Sequence, residues 1–295
     1  MEKVLVLFVF HIYNDRVKAF LSNALFYDTH TDFVIISNDK DAKVNIPSNT
    51  LTNVRVIYRD NIGYDFGGWS DALLQNNLYM KYDRFIFVNS SVSGPFLPAG
   101  YRGKWTDIYL DGLQGNIKLF GSTINTIKDP LHSSHVQSYI FAMDKDTLEY
   151  LIDSEIFSTT AYAKDFQEAI VKKEMLMSRK ILENNWNIGS LLKLYKGVDF
   201  TFKTKRPEDY SIEFMDDIMF DSYRNVLWKD HELVFIKGNR VNSKEGFRDL
   251  GSNWLLMILI FFAFAFAFAK FSMIYATGSF RRIHAFFRRA ARSMV

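Results

Sequence analysis

The 295-residue sequence contains no cysteine. That absence removes disulfides, zinc–thiolate centres and a cysteine nucleophile together, and it fits a reducing compartment. Other signatures are missing as well. No G-x-G-x-x-G dinucleotide loop follows the first apolar run, and no G-x-x-x-x-G-K-[ST] phosphate loop occurs, so nicotinamide and P-loop chemistry lose ground. There is no H-E-x-x-H, and His132 and His135 sit three apart without a zinc pattern. No G-x-S-x-G elbow supports a serine hydrolase. Charge of one sign is not in excess either. Lys and Arg number 36 against 33 Asp and Glu, and a net +3 is too small to argue for nucleic acid. No repeat or low-complexity linker precedes residue 250.

What is present is apolar. Hydrophobic residues make up 48% of the chain and aromatics 16%, with 28 Phe, enough to fill a core and to argue against disorder. The length suits one large α/β domain plus an appendage. VLVLFVF (4–10) reads as a parallel strand covered on both faces, in preference to a signal peptide, because HIYND follows it and no small-residue cleavage site does. Residues 14–27 place Val17, Phe20, Leu21, Ala24 and Leu25 at helical spacing, with Asn14 or Asp15 as cap. Strands are predicted over 33–39, 53–60 and 84–91, and a helix runs from the 61–73 loop to about Met80. Further strands are expected over 117–124 and 135–144, and helices over 145–157 and 165–185. The alternation predicts a mixed, mostly parallel α/β sheet.

Open α/β sheets bind ligands beyond the carboxyl ends of their strands. Here those ends offer His11 to Asp15, Ser37 to Asp39, Arg59 to Asp65, and Asn89 to Ser91. Within NIGYDFGGWSDAL (61–73), Gly63, Gly67 and Gly68 permit close backbone approach, and Asp65 stands where a loop turns into a helix. By spacing alone the stretch reads rather as a tight loop with a capping carboxylate. The strand-end clusters shift the reading towards a ligand site, with His11, Asn14 and Ser37 among its candidate contacts. On the 165–185 helix, Asp165 and Glu168 share a face and Glu174 lies nearer the opposite side. Any of the three is a candidate general base if it points into the cleft.

Four blocks carry a resemblance: RDNIGYDFGGWSDAL (59–73), YDRFIFVNSSVSGPF (82–96), HVQSYIFAMDK (135–145) and KKEMLMSRKILENNWNI (172–188). In this order the chain resembles the rhamnan-synthesis F family of glycosyltransferases over roughly residues 1 to 235, and is most similar to the algal-virus enzymes that build capsid glycans. The resemblance implies a GT-A-like nucleotide-diphosphosugar transferase fold, a nucleotide-sugar donor and a glycan acceptor. Asn61, Gly63 and Asp65 would line the donor pocket, and Arg59 would meet the donor's charged portion. Asn89, Ser90 and Ser91 stand where a DxD-type motif would hold Mn2+ or Mg2+ under the diphosphate. His135, Gln137 and Ser138 would border the acceptor, and Glu174 would be the base of an inverting displacement. The chain departs from the family in reading NSS where NDS is common. A hydroxyl at Ser90 is a poor ligand for a hard cation, which leaves Asp65 as the single candidate ligand and puts metal dependence in doubt. The same departure motivates a competing reading, a non-catalytic, membrane-anchored sugar-binding scaffold of the same fold.

The last 45 residues differ in kind. WLLMILIFFAFAFAFAKFSMIYA (254–276) would span roughly 34 Å as a helix, about the hydrocarbon core of a bilayer. A lone strand in lipid would leave its backbone unpaired, so helix is the expectation. The Arg-rich stretch SFRRIHAFFRRAARSMV reads as a basic amphipathic element attracted to anionic lipid. The domains expected are therefore 1–248, a glycosyltransferase domain in the cytosol, and 249–295, a single-pass or monotopic anchor. A chain ending before residue 250 is expected to move from the membrane to the soluble fraction on flotation. Unchanged partitioning would remove the anchor assignment.

Overall fold

The computed structural model describes residues 2–47, 50–127, 133–210, 212, 214, 222–223, 226–227 and 229–238. All belong to one unit, Met1–Val241. The 254–276 segment, the basic stretch after it and His132 lie outside the described residues. Among the described residues no helix is long and apolar enough to cross a membrane.

The elements follow in order as β1 (Val4–Phe10), α1 (Asp15–Asn23), β2 (Thr31–Ser37), β3 (Val54–Tyr58), α2 (Tyr64–Leu74), β4 (Arg84–Asn89), β5 (Val92–Ser93) and α3 (Trp105–Leu110). Then come β6 (Ile117–Gly121), β7 (Ile124–Asn125), β8 (His135–Val136), β9 (Ile140–Asp144), α4 (Lys145–Asp153), α5 (Phe166–Glu168), a π-helical turn (Ala169–Met175), α6 (Leu176–Glu183) and β10 (Asn187–Ser190). Two short strands, β11 (Ser222–Tyr223) and β12 (Val226–Leu227), pair with each other. After them come α7 (Asp230–Leu233) and β13 (Ile236–Lys237). The main sheet has seven strands in the order β10-β6-β9-β4-β1-β2-β3. β9 alone runs against its neighbours. The mixed, mostly parallel sheet expected from the alternation is therefore present.

β1 is buried at every position, as a continuous apolar run requires. Leu5, Leu7 and Val9 face one layer with Phe66, Trp69 and Leu73 of α2, Leu148 of α4 and Met177 and Ile181 of α6. Val6, Phe8 and Phe10 face the other with Val17 and Phe20 of α1 and Trp105 and Tyr109 of α3. The period-two alternation of a strand thus divides one apolar run between two cores. Phe8 and Phe20 stack at 3.9 Å, while Trp69 meets Phe66, Phe87 and Phe141 edge-on.

Two boundaries depart from the sequence reading. The helix expected to reach Met80 stops at Leu74 and continues as a 3₁₀ segment, because Asn76 and Asn77 take left-handed backbone angles (φ 53° and 50°). Asn tolerates that conformation better than most residues. The strand expected over 135–144 is two strands. His135 and Val136 pair with β7, and only residues 140–144 enter the main sheet, with Gln137 to Tyr139 between them. Side-chain and backbone bonds to Thr123 and Glu174 hold the intervening residues out of the ladder.

α2 approaches the sheet over glycine. A Cβ on Gly67 would fall 2.1 Å from the Ile62 carbonyl oxygen, and one on Gly68 would fall 2.7 Å from Val9 Cγ2. Replacing a helical glycine by alanine ordinarily gains about 1 kcal/mol. Gly67→Ala is expected to have the opposite sign and to cost about 1–3 kcal/mol, since the clash is with backbone. Urea unfolding measures it, and a raised midpoint would contradict the packing described.

Candidate active site

The four parallel strands β1 to β4 end at one edge, and the polar residues gather there. Asn38, just beyond β2, is 2% exposed. It donates to Asn61 Oδ1 and to the Tyr64 carbonyl, both at 3.2 Å, and accepts from Arg59 Nη1 at 2.7 Å. Arg59 also binds Asp71 Oδ2 through Nε and the Ile62 carbonyl through Nη2, each at 2.7 Å. Charge-assisted bonds of this kind fix geometry firmly. Here they tie the end of β2, the loop after β3 and the first turns of α2 into one unit. Gly63 precedes α2 in the left-handed region (φ 74°), and Tyr64 follows it at φ 56°.

This turn delivers Asp65 into the recess. Asn89, the last residue of β4, donates from Nδ2 to Asp65 Oδ2 at 2.9 Å. The Asn89 amide oxygen accepts from Ser91 N at 3.0 Å and Ser91 Oγ at 2.5 Å. From the opposite side comes Glu174, in the π-helical turn. Its Oε2 accepts from Ser138 N at 3.1 Å and from the Ser138 hydroxyl. Its Oε1 lies 3.4 Å from His135 Nε2. His135 Nδ1 is 2.8 Å from the Ser133 carbonyl and must donate to it.

The two carboxylates are driven in opposite directions. Burial, above all, raises Asp65 to about 6, and the Glu174 charge adds to that, while the Asn89 hydrogen bond and the Lys237 charge pull it down. Its position in the first turn of a helix, which favours an anion, does not prevent the rise. For Glu174 burial also pushes up, but the hydrogen bond and charge of His135, the charge of Lys237 and the Ser138 hydrogen bond together hold it below the ordinary carboxylate range. One site thus contains a carboxylate that stays ionised and another that exchanges its proton closer to neutrality.

The remaining candidates stand as follows. His11 Nδ1 is 3.1 Å from the Asn38 carbonyl, Asn14 caps α1 by accepting from Val17 N, and the buried Ser37 hydroxyl donates to the Asp39 carbonyl. Asn61 and Gly63 lie on the loop held by Asn38 and Arg59. Gln137 is buried and accepts from Thr123. The Ser90 carbonyl receives Arg16 Nε at 3.4 Å. Asp165 and Glu168 are not brought to Asp65. Asp165 caps its helix by accepting from Glu168 N, and Glu168 accepts from Lys164 N and pairs with Lys172 on the exposed side. Of the three carboxylates named as base candidates, the geometry gathers only Glu174 with Asp65. Two residues of the site were not singled out from sequence. Asn38 was legible only as part of a polar strand end. Lys237 belongs to a two-residue strand with no local periodicity.

The donor set is a poor match for Mn2+ or Mg2+. Asn89 spends its amide nitrogen on Asp65 and its oxygen on Ser91, Ser90 supplies a hydroxyl, and both oxygens of Glu174 are engaged. Hard cations favour several unengaged oxygen ligands, carboxylates above all. Among the described residues no cluster of three His, Cys, Asp or Glu side chains could hold an ion.

The family model of rhamnan synthesis protein F matches residues 9–223, and the chain belongs to that family. No curated protein sequence matches it. Among solved structures it is similar to a cytidylyltransferase from Leptospira borgpetersenii serovar Hardjo-bovis, at 15% identity and a TM-score of 0.35 over 64% of this chain and 76% of that one. It is also similar to the apo-form glycosyltransferase GlyE of Streptococcus pneumoniae TIGR4, at 12% identity and a TM-score of 0.34. That alignment covers 64% of this chain and 45% of the other.

The raised Asp65 has a thermodynamic consequence. Between its ordinary value of 3.8 and about 6, the folded chain keeps a proton that the unfolded chain has released. Stability therefore falls as pH rises through that window. Asp65→Asn is expected to be more stable than the native protein at pH 7.5 by roughly 1–3 kcal/mol, with the gain shrinking as pH falls from about 6 towards 4 and gone below that. Urea unfolding at the two pH values measures this.

Proposed function

We propose that the chain is a glycosyltransferase that moves a sugar from a nucleotide-diphosphosugar to a hydroxyl of a glycan, with inversion. The carrying observation is the pair of carboxylates, Asp65 and Glu174, brought from different elements to the carboxyl edge of the sheet and driven apart in proton affinity. Membership of the rhamnan synthesis protein F family supports the same reading. The fold is read as GT-A-like, the sugar as rhamnose, xylose or a similar residue, and the product as a polysaccharide or capsid glycan. The domain works in the cytosol at a membrane through residues 254–276.

Glu174 is the acceptor base in this reading. It is ionised and oriented by Ser138 and His135, as a general base must be before the acceptor hydroxyl attacks. Asp65, with Asn61 and Gly63 beside it, hydrogen-bonds the donor's ribose or sugar. Arg59 orders the loop that presents them. Asn89, Ser90 and Ser91 lie under the diphosphate, and His135, Gln137 and Ser138 border the acceptor. A second assignment exchanges the two acids. Asp65, at about 6, is the stronger base near neutral pH, and that value favours it.

Turnover with a panel of UDP-, GDP- and dTDP-sugars tests both. Glu174→Gln is expected to lower kcat by roughly 10²–10⁴-fold and Asp65→Asn to act mainly on donor KM. The pH profile separates the assignments. With Glu174 as base the acid limb of kcat/KM lies below the ordinary glutamate range, and with Asp65 it lies near 6. Donor binding without turnover for any acceptor would favour a sugar-binding scaffold.

A further inference from the structure

A departing nucleoside diphosphate accumulates negative charge that must be met by fixed positive charge or donors. The Asn89–Ser91 segment is poorly equipped to do this through a metal, as its donor set shows. A different cation is built in beside it. β13 pairs antiparallel with β5, placing Lys237 opposite Val92 and Ile236 opposite Ser93. Gly238 N donates to the Ser91 carbonyl at 2.7 Å. The two segments approach so closely that a Cβ on Gly238 would fall 2.0 Å from Ser93 Oγ. The backbone therefore seats Lys237 against the Asn89–Ser91 turn. Its charge acts on both Asp65 and Glu174. Lys237 also lies beyond residue 223, where the family match ends.

We propose that Lys237 binds the donor diphosphate and takes the place of a divalent cation, so that donor binding and transfer are independent of metal. The inference rests on the glycosyltransferase reading. In the transfer step the acceptor oxygen forms its bond to the anomeric carbon as the bond to the β-phosphate oxygen breaks. The electron pair leaves on that oxygen, and the acceptor proton passes to the base carboxylate. Lys237 keeps its own proton throughout and donates hydrogen bonds to the phosphate oxygens. An ammonium is a compact point charge with three donors, suited to a diphosphate. Arg16, whose Nε reaches the Ser90 carbonyl, adds positive charge at the same turn.

Calorimetry on the full chain in detergent, titrated with UDP, GDP and dTDP and with the matching nucleosides, tests the assignment. One diphosphate is expected to bind with the same affinity in EDTA as in Mg2+ or Mn2+. Lys237→Met is expected to weaken that diphosphate by roughly 10- to 100-fold while leaving its nucleoside unchanged, and Lys237→Arg to restore most of the loss. A merely structural role would move nucleoside and diphosphate alike. Binding that requires added metal, or a Lys237→Met protein that binds the diphosphate normally, overturns the inference while the glycosyltransferase reading stands. If no nucleotide binds under any condition, both fall together.

Discussion

The site depends on how Arg59 is saturated. Its guanidinium reaches Asn38 at the end of β2, Asp71 in α2 and the Ile62 carbonyl in the intervening loop. The end of a strand, a loop and a helix are thereby locked at one point. A planar fork of donors is suited to this, because each bond restricts the others. With the glycine face of α2 pressed onto β1 and β2, the first turn of the helix has little freedom left. Asp65 is consequently held against Asn89. The residue expected to touch the donor's charge is, in this geometry, the one that orders the loop around it.

Within the recess the charges are interdependent. Asp65 and Glu174 repel each other, and both lose hydration. His135 offsets one side and Lys237 offsets both. In surroundings of low effective dielectric such couplings are stronger than at the surface. The contrast with Glu168 and Lys172 is instructive. They pair at 2.6 Å but on the exposed side of the helix, where such a bond contributes little. Proximity of opposite charges is common on this molecule. Enclosure of like charges is what distinguishes the site.

β1, β2 and β4 were legible because each is an apolar run ending in polar residues, and burial on both faces leaves that pattern intact, whereas β3, at the edge of the sheet, was legible by its alternation. Asp65 was legible for the same reason, as a carboxylate in a glycine-bearing loop at a strand end. Asp165 and Glu168 were ambiguous because helical spacing does not say which face meets the sheet. Their spacing of three also suits a helix cap: Asp165 accepts from Glu168 N, and Glu168 reaches back to Lys164 N, one residue ahead of the cap. The break between His135–Val136 and Ile140–Asp144 was invisible because it is imposed by side chains distant in sequence. Lys237 was invisible for a stricter reason: a two-residue strand exists only through its partner, and nothing local marks it.

The π-helical turn at Ala169–Met175 gives the helix a property that a regular one would lack. Lys173 points inward to the Glu155 and Ile156 carbonyls, and its neighbour Glu174 points inward to Ser138. Successive residues of an ordinary α-helix diverge by about 100°, so the wide turn lets two adjacent side chains serve two inner targets. It also works as a phase joint. Upstream of it the capping carboxylates keep their register with solvent, and downstream Met177 and Ile181 keep theirs with the sheet. In relatives of this chain, gain or loss of a single residue here would therefore rotate one half of the rod against the other, and so retune the position of an acid without disturbing either end.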